Sequence, residues 1–202
     1  MDVTIIATLV GVGAGWLLSQ LTENIKEKKY RKKKIQALYI ELSDNNAWLQ
    51  RVVKEAKFSL QLLVLGQKID SRPGNVYTFI FEENFHEVCW YLPRGVRLGF
   101  TDYFNSIKTI NELISDIKPL IACDDQEQLE KLGSKFEEIY SEAFKTHAKS
   151  GYLLKNHNAN LENLRGMAVK LEERLEEELN AIAPEARSLG VERVKSLYYE
   201  EG

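Results

Sequence analysis

Proline occurs four times and cysteine twice in 202 residues, so the chain has few built-in helix breakers and no disulfide framework. Cys89 and Cys123 lie far apart and form no CxxC pair, which fits a reducing compartment and ordinary buried thiols. Neither sign of charge prevails. With 27 Lys and Arg against 30 Asp and Glu the net charge is -3, which gives no global attraction to nucleic acid. Also missing are a P-loop, a dinucleotide fingerprint, a nucleophile elbow and an HExxH sequence. The lone glycines read as caps and turns. No βαβ pattern occurs, which argues against a nucleotide-binding α/β domain. The composition is 44% hydrophobic and 28% charged, with 3 Trp, 9 Tyr and 8 Phe, and describes a folded chain with large side chains for a core.

Charge is absent from Val3 to Thr22. As a helix rising about 1.5 Å per residue, Val3 to Leu21 would extend roughly 28 Å, close to a bilayer core of about 30 Å. The stretch therefore predicts a transmembrane anchor over residues 1–22. A signal peptide should carry positive charge before its apolar run, whereas only Met1 and Asp2 precede this one, although Gly13 and Gly15 imitate a cleavage site. Next comes a basic juxtamembrane segment, residues 23–34, with Lys26, Lys28, Lys29, Arg31, Lys32, Lys33 and Lys34. Such a run predicts lipid-headgroup contact and a cytoplasmic position, with the N-terminus outside. The expected location is the inner (plasma) membrane, single-pass. Nucleic acid is the rival ligand for this run, and the adjacent apolar stretch argues against it. Ala7, Gly11, Gly15 and Ser19 recur every fourth residue, a small-residue stripe suited to close packing of paired helices. Gly and Ala are also simply common in such helices.

The following residues, 35–184, predict an antiparallel helical bundle, and the fold class is all-α. Ile35, Leu38, Leu42, Leu49, Val52 and Ala56 occupy heptad a and d positions, with Asn45 at the intervening one. Asn45 either fixes register between paired helices or bonds to a neighbouring element. Apolar Phe58 to Leu65 belongs in the interior, and Gly66 with Ser71 to Asn75 ends it. Val76 to Phe81 has strand-like residues but no partner strand, so with Glu82 to Tyr91 it reads as a helix. Pro93 and Gly95 mark a loop. Phe100, Phe104, Ile107, Ile110, Ile114 and Ile117 form a helical stripe, with Thr101 or Asp102 near its start and Pro119 near its end. Asp124 or Asp125 caps a helix with core residues Leu129, Leu132, Phe136, Ile139 and Ala143, ending near Ser150-Gly151. A last helix carries Leu161, Leu164, Ala168, Leu171 and Leu175 and stops before Pro184. Residues 185–202 form a short helix or tail that docks back through Val191, Val194, Leu197 and Tyr198.

His86 and Cys89 share one helical face and offer two zinc ligands, fewer than a stable site needs, so a core histidine beside a buried thiol is the plainer reading. His147 and His157 flank the Gly151 turn and would meet across a hairpin. No cofactor is expected.

The stretch Lys34-Ile-Gln-Ala-Leu-Tyr-Ile-Glu-Leu-Ser-Asp-Asn-Asn-Ala-Trp-Leu, after one apolar run, resembles uncharacterised bacterial single-span, membrane-anchored helical proteins. The anchor and packing signals, beside the missing catalytic motifs, predict a non-catalytic, self-associating, membrane-tethered interaction module with a protein partner. The resemblance also permits a membrane-perturbing effector of phage defence whose bundle senses a trigger. A metal-dependent enzyme using His86 is the remaining alternative.

Overall fold

The computed structural model describes residues 3–121 and 125–200, with side-chain surroundings for these except at 3–10, 126 and 161. Five helices and one short 3-10 turn follow in order, and no strand occurs among the described residues. They are α1 (Val3–Val64), α2 (Phe79–Val88), the turn Cys89–Tyr91, α3 (Arg94–Ile121), α4 (Gln126–Lys155) and α5 (Leu161–Glu200). The expected all-α class holds.

One hydrophobic cluster runs from Leu38 of α1 to Val194 of α5. Its centre holds the predicted stripes: Leu38, Leu42, Leu49, Val52 and Ala56 of α1, Phe100, Ile107, Ile110, Ile114 and Ile117 of α3, and Leu132, Phe136, Ile139 and Ala143 of α4 are all buried. Neighbours run in opposite directions. Asn46 of α1 meets His147 and Ser150 of α4, whereas Leu63 at the far end of α1 meets Gly133 near the start of α4. Along α3 and α4, Asp102 pairs with Lys149 at 2.7 Å and Asp116 with Lys135 at 3.6 Å, the same reversal.

Local chemistry sets the ends. Gly66 takes φ 68°, where a residue without Cβ is needed. Its N–H donates to Leu63 O at 3.0 Å and that of Gln67 to Leu62 O at 2.9 Å, so the last carbonyls of α1 are satisfied in a Schellman turn. Asn160 Oδ1 accepts the N–H of Asn163 at 2.8 Å and starts α5. Asp125 occupies the N-cap of α4 but makes no side-chain capping bond. Asp124 and Cys123 lie outside the described residues.

Several boundaries differ from expectation. The spanning helix is the largest correction: among the described residues, no helix is long and apolar enough to cross a membrane. Residues 3–10 of the expected span lie outside those with described side chains. Its described remainder, Gly11 to Leu21, is 11 residues, about 16 Å of helix and roughly half of a hydrocarbon core. From there α1 continues unbroken through Glu23 and the lysine run. This overturns the transmembrane, single-pass and inner-membrane assignments and the outward N-terminus. The headgroup role of Lys26, Lys28, Lys29, Arg31, Lys32, Lys33 and Lys34 depended on that span.

α3 begins at Arg94 instead of after Gly95, and α4 passes through Ser150 and Gly151 to Lys155. α5 passes through Pro184 because Ile182 and Ala186, on either side of the exposed proline, are buried in the bundle. Its break comes at Gly190, φ 74° and ψ 169°, a region essentially reserved for glycine. There the chain turns and lays Val194, 2% exposed, and Tyr198 against α1, with Tyr198 stacked on Phe58 at 4.1 Å. The tail docks as expected. Gly190→Ala is expected to cost about 1 to 3 kcal/mol, read as a lower urea midpoint together with faster proteolysis after residue 190. Unchanged values on both counts would mean the turn does not need glycine.

Candidate interaction surface

Among the described residues, none of the sequence-predicted histidines and cysteines is brought into a metal-binding cluster. His86 is exposed and Cys89 half-buried, so the core-histidine reading fails. The Cys89 thiol donates to the His86 carbonyl at 3.6 Å. No group of three or more His, Cys, Asp or Glu able to hold a metal occurs among the described residues. His147 and His157 do not pair. His147 Nδ1 sits 3.1 Å from Asn46 O, while His157 packs edge-on to Tyr39 at 4.6 Å.

What the fold does hold out is the first third of α1. From Gly11 to Tyr30 every residue is exposed. Trp16 is 62% exposed, Leu21 58% and Ile25 54%, with Val12, Leu17 and Leu18 alongside. Gly11, Gly13 and Gly15 have open space where a Cβ would project. Gly11, Gly15 and Ser19 of the small-residue stripe thus lie on a bare helix, and Ala7 is outside the residues with described side chains. A helix of this length is marginal in water by itself. Here it is an arm extended from a stable bundle.

The arm meets the bundle at a collar built from α2 and the turn after it. Glu41 on α1 reaches the N-terminus of α2 and accepts the N–H groups of Ile80 and Phe81, each at 2.8 Å. Thr78, the N-cap residue itself, makes no capping bond, so a carboxylate from another helix satisfies the orphan donors and complements the helix dipole. Burial raises the Glu41 carboxyl above its usual range, and the two N–H bonds oppose that shift. Next to it, burial pushes the Tyr103 phenol well up.

Asn45 Nδ2 donates to Tyr77 O at 2.8 Å, so it serves a neighbouring segment and not helix register. Asn111 accepts from Val76 N–H and donates to Val76 O, both at 2.8 Å. Residues 76–78 are therefore non-helical, and α2 starts later than expected, at Phe79. The partner strand this segment lacks is replaced by two asparagines.

At the other end of α2, Lys34 pairs with Glu87 at 2.6 Å. Their hydrogen bond raises the Lys34 ammonium and lowers the Glu87 carboxyl. Arg31 lies over Tyr91 at 4.3 Å, Lys34 over Tyr30 at 4.6 Å and Arg97 over Trp90 at 5.1 Å. Trp90, at 77% exposed, with Tyr91 and Tyr30 offers large rings to solvent. Arg31 and Lys34 of the basic run are thus engaged with the collar. Sequence reasoning gave Lys34 and Arg31 a role but missed Glu41, Trp90 and Tyr91.

Comparison of the chain with protein-family models, curated proteins and solved structures finds no match.

Proposed function

We propose that this chain is a non-catalytic helical interaction module that associates with further copies of itself through the arm of α1. One observation carries the reading: Gly11 to Tyr30 is exposed throughout while bearing Val12, Trp16, Leu17, Leu18, Leu21 and Ile25. A contiguous apolar surface of this kind on a folded chain marks a place where another surface docks. The bundle, with its single core, is the rigid body that positions the arm.

Sedimentation equilibrium of the full chain tests this. The expected mass is a multiple of the 23.2 kDa chain, and Leu21→Asp shifts it to the single chain. Helical content stays as in the wild type, because Leu21 touches nothing in its own bundle. A wild-type monomer at tens of micromolar, or a variant that associates as the wild type does, rejects the proposal.

A further inference from the structure

The arm carries a heptad of its own. Gly11, Ala14, Leu18, Leu21, Ile25 and Lys28 follow at alternating intervals of three and four, the spacing of a and d positions on one seam. Bulk is distributed unevenly along it. Among the residues with described side chains the seam is small at Gly11 and Ala14 and large at Leu18, Leu21 and Ile25, and Lys28 follows with a charge.

Accepting that the arms self-associate, we infer that the partner arm is a second copy running antiparallel, with Leu18 of each opposite Leu21 of the other and Ala14 opposite Ile25. This register matches a to d positions in every layer. It places a large residue against a small one where a packed seam needs that, and the aliphatic stem of Lys28 lies over the bare backbone at Gly11 with its ammonium outward. Parallel pairing does the reverse: Gly11 meets Gly11 and Ala14 meets Ala14, leaving a gap, while Lys28 meets Lys28.

The charge pattern selects the same arrangement. In parallel, the run Lys26, Lys28, Lys29, Arg31, Lys32, Lys33 and Lys34 of each copy lies beside its twin. In the antiparallel register the two runs sit about 30 Å apart along the axis, roughly three Debye lengths in physiological salt, and do not repel.

Cross-linking distinguishes the orientations. In a full chain with Cys89→Ser and Cys123→Ser, Ala14→Cys combined with Ile25→Cys is expected to give a disulfide-linked dimer, and peptide mapping joins position 14 to position 25. Ile25→Cys alone gives none, because the two copies of residue 25 lie about 16 Å apart in this register, beyond the reach of a disulfide. Linkage between two copies of position 25, or a dimer in which neither variant cross-links, overturns the antiparallel register while self-association stands. A monomeric parent in the centrifuge instead removes the self-association on which the register rests.

Discussion

Gly95→Ala is expected to lower the stability of the bundle by about 2 to 3 kcal/mol, a fall in melting temperature of roughly 5 to 10 °C for a chain of this size. The first turn of α3 lies directly on the turn between α4 and α5. A Cβ at Gly95 would press on the Ala159 carbonyl oxygen far inside van der Waals contact, with Ala159 C at 2.8 Å and the Asn160 Cα at 2.9 Å. These are backbone atoms, held where Ala159 is buried and Asn160 caps α5, so neither side can yield cheaply. Gly166→Ala is the matched control. That glycine lies within α5 with open space around it, so alanine there is expected to stabilise by about 0.5 to 1 kcal/mol. Calorimetric scans of the two variants should move in opposite directions. A Gly95→Ala protein that melts with the wild type would show that α3 does not approach this turn.

Glu41→Ala is the second large effect, about 2 to 4 kcal/mol. Removing the carboxylate leaves the Ile80 and Phe81 N–H groups without acceptors at a site where Glu41 is 7% exposed. α2 should fray from its N-terminus, which hydrogen exchange at residues 80–82 reads directly. Glu41→Gln keeps the shape but turns a donor toward one of the two N–H groups, so it falls between wild type and Glu41→Ala.

The pH dependence has a defined sign. Burial, the larger influence, raises the folded carboxyl above its unfolded value, so the folded state binds the proton more tightly. The stabilising contribution is then full below the unfolded pKa and is lost as pH rises through the folded one. The stability difference between wild type and Glu41→Gln, measured in urea, should therefore widen as pH falls from 7 toward 4. A difference that narrows over that range would place the N–H bonds above burial in their effect on Glu41.

The heptad of α1, the isoleucine stripe of α3 and the core face of α4 were legible because their period is set by helix geometry and their partners are simply other apolar faces. The stop at Gly66 was legible for the same local reason. Gly95 and Gly151 misled as breakers. In the fold they are small residues within helices, as is Gly99, where a Cβ would come within 2.7 Å of a Leu153 methyl, and Gly151 lies where α1 passes close. Close approach of two helices leaves no mark on local sequence that differs from a turn.

Glu41 was equally hidden. It caps a helix 39 residues away, and no fixed spacing announces a cap supplied in this way. The strand-like residues at 76–78 owe their conformation to Asn45 and Asn111, which are remote in the chain. In the N-terminal region, the lack of charge over residues 3–22 read as a spanning length. The described apolar part is shorter, and what the sequence could not reveal is that Trp16, Leu21 and Ile25 face nothing in their own bundle.

α1 carries the arm and the core stripe on 62 residues without interruption. Torsional phase is therefore conserved along its length, and the azimuth at which Leu18 and Leu21 point is locked to that of Leu42 and Leu49. A single residue inserted near Lys32 would turn the one about 100° against the other and point the leucines to a different side of the bundle. The count of residues between collar and seam thus works as a gauge: it decides which side of the molecule faces an approaching neighbour.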